Sequence, residues 1–274
     1  MALTKVLITV KAYPTLAEKY DELVCTAGFK EDGKWIRIYP VPFRKMDYDK
    51  RFKKYQWIEI DLIKNPSDPR PESYRPKDYN QIKLGERIGT EAGYWSSRRD
   101  IVLKKVYTDL KQLISEAKDD NKMTSLAVFK PKKILDFAIE ETSREWNKKK
   151  LAKLKSKAEQ IGLFANSQNP FEVVKKLPYK FSYVLIDENN RRSKMMIEDW
   201  EIGQLFWNTL KRHEGNEGKA CKDVRNKYFD DFAKTKDLYL FLETTYIYHM
   251  RKALNPFVIV GTFHPKPDKR LKLF

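Results

Sequence analysis

Cysteine and histidine are scarce in this sequence: two of the first and three of the second in 274 residues. Cys25 and Cys221 form no CxxC pair and lie beside apolar residues, so free, buried thiols are expected rather than a disulfide. A structural zinc site needs four clustered Cys or His ligands, and His213, His249 and His264 do not provide them at local spacing. No metal or cofactor is therefore expected. Signatures of catalysis are also missing: there is no GxxxxGK[ST], GxSxG, HExxH or GxGxxG. No apolar run approaches the roughly 20 residues of a membrane span. The opening MALTKVLITVKAYP has neither a long apolar core nor a small-residue cleavage site. The expectation is a cytoplasmic protein without membrane contact.

What the chain does have is positive charge. Lys plus Arg number 55 against 38 Asp plus Glu, a net charge of +17. Charged residues make up 34% and aromatics 13%, the balance of a folded protein with a heavily charged surface. Such a field makes a polyanion a natural partner. A lysine-rich proteome would raise the charge of every protein in the same way.

The first third reads as β. KVLITVKAY (5–13) and YDELVCTAGF (20–29) are strand candidates, and the EDG turn at 31–33 returns the chain into KWIRIYPV. YQWIEIDLIKN (55–65) alternates polar and apolar residues. NPSDPRPESYRP (65–76) has four prolines in twelve residues, which excludes a helix or a central strand. Apolar spacing then predicts a helix over 102–118. TSLAVFKPKKILDFAIEET reads as two strands broken at Pro131, and 143–162 as a lysine-rich helix. A hairpin at 179–197, helices over 199–233 with Asp199 as N-cap and Gly215 as stop, and closing strands in KDLYLFLETTY and NPFVIVGTF complete the chain. The tail HPKPDKRLKLF is expected to be poorly tied.

LITVKAYPTLAEKYDELVCTAG, WIRIYPVPFR, KYQWIEI and DPRPESYRP, with MIEDWEIGQLFWN, YFDDFAKTKDLYLFLETT and NPFVIVGTF, resemble a family of prokaryotic "dual OB domain-containing" proteins over nearly the whole length. The resemblance implies two OB-like barrels, a fold whose face and loops often hold oligonucleotides or oligosaccharides. It brings no catalytic motif. The helices at 102–118, 143–160 and 199–233 depart from a plain double barrel. The expected fold is α+β, with two β-rich, OB-like lobes and inserted or linking helices. Its expected parts are an N-terminal β domain (1–101), a helical linker with strands (102–162) and a C-terminal α+β domain (163–274).

Candidate nucleic-acid contacts follow from residue type. Single-strand binding needs flat rings for bases and cations for phosphates. On a strand, Trp35, Arg37 and Tyr39 share one face and Ile36 and Ile38 the other. The first face either binds a ligand or covers a second core layer with Arg37 reaching out of it. Arg44, Lys45, Arg51, Lys53 and Lys54 interleave with Tyr48, Phe52 and Tyr55, as a phosphate track or as a solvated loop. Arg70 and Arg75 suit phosphate by their forked donors, or pair with Asp68 and Glu72. Arg98 and Arg99 form a further basic pair. Lys148, Lys149, Lys150 and Lys153 head a lysine run that tracks a nucleic acid or is simply a solvated face.

The leading expectation is a non-catalytic protein that binds single-stranded DNA or RNA, as a subunit of a larger assembly such as an anti-phage defence complex. A protein–protein adaptor that docks a partner enzyme is one alternative. A metal-dependent nuclease using Asp187 or Glu243 is another.

Overall fold

The computed structural model describes residues 3–17, 21–149, 151–156 and 174–268; at 15–17, 21–23 and 45 it describes the backbone alone. The fold class is α+β with β-rich lobes, as expected. The N-terminal half is a curled, eight-stranded sheet. Its strands are β1 (Thr4–Lys11), β2 (Thr15–Ala17), β3 (Asp21–Lys30), β4 (Trp35–Val41), β5 (Gln56–Ile60), β6 (Leu62–Lys64), β7 (Ser73–Pro76) and β8 (Lys83–Arg87). They run in the order β6-β7-β4-β3-β1-β5-β8, with β2 beside β3.

β1 carries the run VLITV, apolar except for Thr9, because it lies at the sheet centre with both faces covered. On one face Val6 and Ile8 join Ile36, Ile38, Ile58, Ile60 and the rings of Phe43 and Phe52 in the N-terminal core. On the other, Val10, Ala27 and Phe29 pack against Val128, Phe241, Val260 and Phe263 of the C-terminal half. The hairpin turn lies where the Asp-Gly pair places it. Gly33 adopts φ +79° and the Asp32 carboxylate accepts from the Lys34 amide at 2.9 Å.

The C-terminal half holds two smaller sheets. One has the order β15 (Phe257–Phe263), β14 (Tyr239–Thr244), β10 (Leu126–Phe129), β9 (Val106–Tyr107); the other is β11 (Lys133–Glu141), β12 (Tyr179–Ile186), β13 (Arg192–Met196). The helices include α1 (Ser96–Val102), α2 (Leu110–Lys118), α3 (Trp200–Arg212), α4 (Glu217–Arg225) and α5 (Tyr246–Met250), with a π-helix over Asn226–Ala233. Phe137, Phe181, Tyr183, Phe206 and Phe232 anchor the largest core between these sheets and helices.

One helical expectation shifts. The stretch 102–118 is not one helix: α1 ends at Val102, Val106 and Tyr107 pair in parallel with β10, and α2 starts at Leu110. The Asp109 carboxylate sets that start by accepting from the Lys111 and Gln112 amides at 2.7 and 3.2 Å. The run 199–233 breaks at Gly215, φ +87°, and its end widens into the π-helix. The lysine-rich run is helical at 148–149 and 151–156. Most of the basic tail lies outside the described residues.

The halves are tied by backbone as well as by side chains. The Tyr13 amide donates to Glu198 O at 2.7 Å, and Ala12 bridges Asp199. Among the described residues no helix is long and apolar enough to cross a membrane.

Gly28 tests the packing of the central sheet. A Cβ there would fall 2.0 Å from Leu7 O, in the neighbouring strand. Gly28→Ala should cost about 3 kcal/mol or more, because neither backbone can yield without breaking the β1–β3 ladder. Urea unfolding of the variant beside the parent checks this; an unchanged midpoint contradicts the packing.

Candidate nucleic-acid interface

The alternation read for β4 holds. Ile36 and Ile38 enter the N-terminal core. On the opposite face the C-terminal half covers Arg37 completely and leaves Trp35 and Tyr39 half-buried. Arg37 is 0% exposed. Its Nε donates to Glu243 Oε1 on β14 at 2.8 Å. Nη1 donates to Ser73 Oγ and Ser125 Oγ at 2.9 and 3.0 Å, and Nη2 to Ser125 O at 3.3 Å. The Cys25 thiol donates to the same carboxylate at 3.1 Å.

A second buried pair adjoins the first. Arg70 donates to Asp68 at 2.8 and 2.6 Å and to Thr244 O at 2.5 Å, while Ser73 Oγ also donates to Asp68. His249 Nδ1 lies 3.1 Å from Thr244 Oγ1. Burial pulls the Arg37 pKa down, but Glu243 and the groups around it, Glu72 and Asp68 among them, together outweigh it and the net direction is upward. Burial, and then the Glu243 charge, push the Cys25 thiol well up. His249 is lowered to about 4, by burial first and then by Arg70 and Arg37.

Arg37 and Arg70, expected as phosphate contacts, are therefore enclosed cross-links. A guanidinium under a second layer must spend its donors on internal acceptors. Lys54 is a third correction: it is buried, 2.9 Å from both Asp199 and Glu201. Arg98 is a fourth, 3% exposed, stacked 3.8 Å over Tyr55 and donating to Ile88 O. Of the aromatics that interleave with the 44–54 cations, Phe52 and Tyr55 turn inward, whereas Tyr48 stays exposed.

The remaining candidates scatter. Tyr39 is half-buried, its carbonyl bonded to Asn65. Arg51 donates to Met46 O and Arg44 O, and Arg44 is itself half-buried. Arg99 pairs with Asp237 at 2.9 Å. Lys53 and Arg75 are exposed. Lys148, Lys149 and Lys153 are exposed on their helical segment, whose neighbours pair with Glu217 (through Arg144) and Val174 (through Trp146). The Lys45 side chain and Lys150 lie outside the described residues.

Trp35 stands apart. It is half-buried, 4.0 Å from Phe29 and edge-on to Phe241 at 5.6 Å, on the wall of a cleft of about 470 Å³ between the halves. Tyr74 and Tyr107 are its other aromatic walls. Lys30 and Lys34 enter from the β3–β4 hairpin and Lys104 and Lys105 from the segment before β9. The Lys104 stem lies against Gly33, where a Cβ would meet its Cδ at 2.4 Å. Lys34 reaches Asp32 at 3.3 Å and Lys105 reaches Glu116 at 3.9 Å; among the described residues Lys30 and Lys104 have no carboxylate within 4.0 Å. Asp32 and Glu72 also line the cleft, and Glu72 is held by Ser125 at 2.7 Å. Apart from Trp35, sequence reasoning missed this group. Its signal was two short basic–aromatic stretches, FKEDGKW and LKKVY, about seventy residues apart.

The nuclease candidates serve internal bonds. Asp187 accepts from the Asn189, Arg191 and Leu110 amides, and Glu243 belongs to Arg37. No group of three or more His, Cys, Asp or Glu side chains arranged to hold a metal occurs among the described residues.

Residues 2–104 match the family described as Domain of unknown function (DUF8758), and residues 106–274 match Domain of unknown function (DUF8757). Neither description carries the dual-OB name that the motifs resemble. No curated protein matches. A solved structure described as a murine DNA binding protein bound with double-stranded DNA is similar over 98% of both chains, at 12% identity and a TM-score of 0.32. A likeness that low carries no functional weight.

Two outcomes follow from the buried network. Arg37→Met should cost about 3–5 kcal/mol, since it strands the Glu243 charge. Adding Glu243→Gln should cost much less than the sum of the two single changes; a double-mutant cycle by urea unfolding reads this, and simple additivity refutes the coupling. His249 gives a pH signature. The unfolded imidazole takes a proton near pH 6.5, whereas the folded one stays neutral to about 4. Stability from this group is thus present above pH 6.5 and is lost as pH falls. Between pH 6.5 and 5.5, His249→Gln should lose about 1 kcal/mol less than the parent. Parallel pH profiles of the two proteins would show no difference if the histidine titrated normally.

Proposed function

This chain belongs to the family described as Domain of unknown function (DUF8757), and for it we propose a non-catalytic role in holding single-stranded nucleic acid along the cleft between its halves. The observation that carries the reading is Trp35 set among Lys30, Lys34, Lys104 and Lys105. An aromatic wall suits a base, and cations at its rim suit the flanking phosphates. The net charge of +17 adds a long-range attraction for any polyanion. Lys53, Arg75 and the exposed lysines of 148–153 would extend the field beyond the cleft. Arg37, Arg70 and Lys54 act instead by tying the two halves together.

A second reading, an adaptor within a larger assembly, is supported by a separate feature. α5 and the residues after it expose Tyr246, Ile247, Tyr248, Met250 and Leu254, the last 92% exposed. Contiguous apolar side chains in solvent mark contact surfaces. A pulldown that survives nuclease treatment and is lost in Ile247→Asp would favour it.

The binding role is tested by fluorescence anisotropy with a random single-stranded oligonucleotide at two salt concentrations. Micromolar or tighter binding is expected, weakening with a log–log slope of roughly −0.7 per phosphate contacted. Lys30→Ala/Lys104→Ala should remove one to two contacts from that slope without changing stability, and Trp35→Ala should cost about 1–3 kcal/mol of binding. No binding at low salt, or a double lysine variant that binds like the parent, refutes the cleft.

A further inference from the structure

Arg98 is enclosed, yet among the described residues no carboxylate lies within 4.0 Å of it. Nε and Nη2 donate to Ile88 O, and the guanidinium stacks on Tyr55 at 3.8 Å and Trp95 at 4.8 Å. Nη1 makes no hydrogen bond among the described residues. A buried cation without a counterion costs several kcal/mol. The Arg98 pKa is accordingly lowered, chiefly by burial.

Arg98 lines a second cavity, of about 370 Å³, where α1 and the Lys54–Tyr55 turn meet α3, the π-helix and β15. This cavity is separate from the Trp35 cleft and shares no lining residue with it. Arg87 and Lys227 are exposed on its wall. Arg87 donates Nε to Lys54 O at 3.2 Å, and Lys227 pairs with Asp231 at 2.7 Å. The lining carboxylate, Glu201, is held by Lys54 at 2.9 Å. Thr90, Leu205 and Thr262 line it too, and the rest of its surface is flat rings. His264 stacks on Phe232 with centroids 3.6 Å apart and lies 4.9 Å from Trp95. Burial lowers the His264 pKa to about 4, so the ring is neutral near pH 7. Its Nδ1 faces Thr262 Oγ1 at 3.3 Å, and Nε2 has no hydrogen-bond partner among the described residues.

We propose that this cavity binds a mononucleotide, its phosphate on Arg98 and Arg87 and its base beside Trp95 and His264. The phosphate supplies the counterion that Arg98 lacks and engages its open Nη1, a charge-assisted bond. The base meets aromatic walls, and His264 Nε2 can exchange a hydrogen bond with its edge. The volume falls in the range of small-molecule sites. The assignment stands independently of the oligonucleotide reading, because none of these residues lines the Trp35 cleft.

Calorimetric titration of the full-length protein with AMP, ATP, adenosine and inorganic phosphate tests it. AMP or ATP should bind with a dissociation constant below about 1 mM, and both adenosine and phosphate alone at least tenfold more weakly. Arg98→Met should weaken the nucleotide about tenfold or more. Arg87 is exposed, so Arg87→Ala should fold normally and weaken binding by a smaller factor; it decides the matter if Arg98→Met does not fold. Lys30→Ala/Lys104→Ala should leave nucleotide affinity unchanged while weakening the oligonucleotide. The proposal is overturned if no nucleotide binds, if phosphate binds as tightly as AMP, or if both the Arg87 and Arg98 variants bind like the parent.

Discussion

The ion pair between Arg37 and Glu243 is the constraint around which the two halves are organised. It joins β4 of one sheet to β14 of another across 206 residues of chain, with both partners out of water. A buried charge pair adds little net stability over an apolar contact of the same shape, but it tolerates almost no displacement. Ser73, Ser125 and Cys25 bond to the same two groups, and Asp68, Arg70 and Thr244 extend the lattice. The seam is thereby held to one geometry. The two cavities lie along that seam and owe their shape to it.

Positive charge divides into two populations by this reasoning. One is internal and stoichiometric: Arg37 with Glu243, Arg70 with Asp68, Lys54 with Asp199 and Glu201. The other is external and in excess, for example Lys53, Arg75, Lys104, Lys149 and Lys153. Only the second can attract a distant polyanion, and it carries most of the net +17, because the internal cations are neutralised where they sit. Arg98 belongs to neither population. It is enclosed like the first and unpaired like the second.

The strand pattern was legible because period-two alternation and turn chemistry act within a few residues. VLITV, the Asp-Gly hairpin and the Ile36/Ile38 face could be read directly, as could the Asp199 cap and the Gly215 stop. The helix expected over 102–118 was not legible in detail. Val106 and Tyr107 have helical spacing but are drawn into pairing with β10, and a competing tertiary hydrogen bond leaves no mark on local periodicity. Of the residues lining the cleft, Trp35 alone was named in advance as a contact. Lys30 and Lys104 could not be associated with it, since only the folded chain sets the hairpin against the segment before β9.

What the sequence determined by itself was composition and local order: a basic, aromatic-rich α+β chain whose β4 has one aliphatic face and one bearing Trp, Arg and Tyr. The tertiary structure alone decided which of those charged and aromatic side chains meet water. An arginine on a strand is a ligand for phosphate or a cross-link to a carboxylate according to whether another layer covers it. That depends on partners such as Glu243, two hundred residues distant, through burial and Coulomb energies that no local pattern encodes.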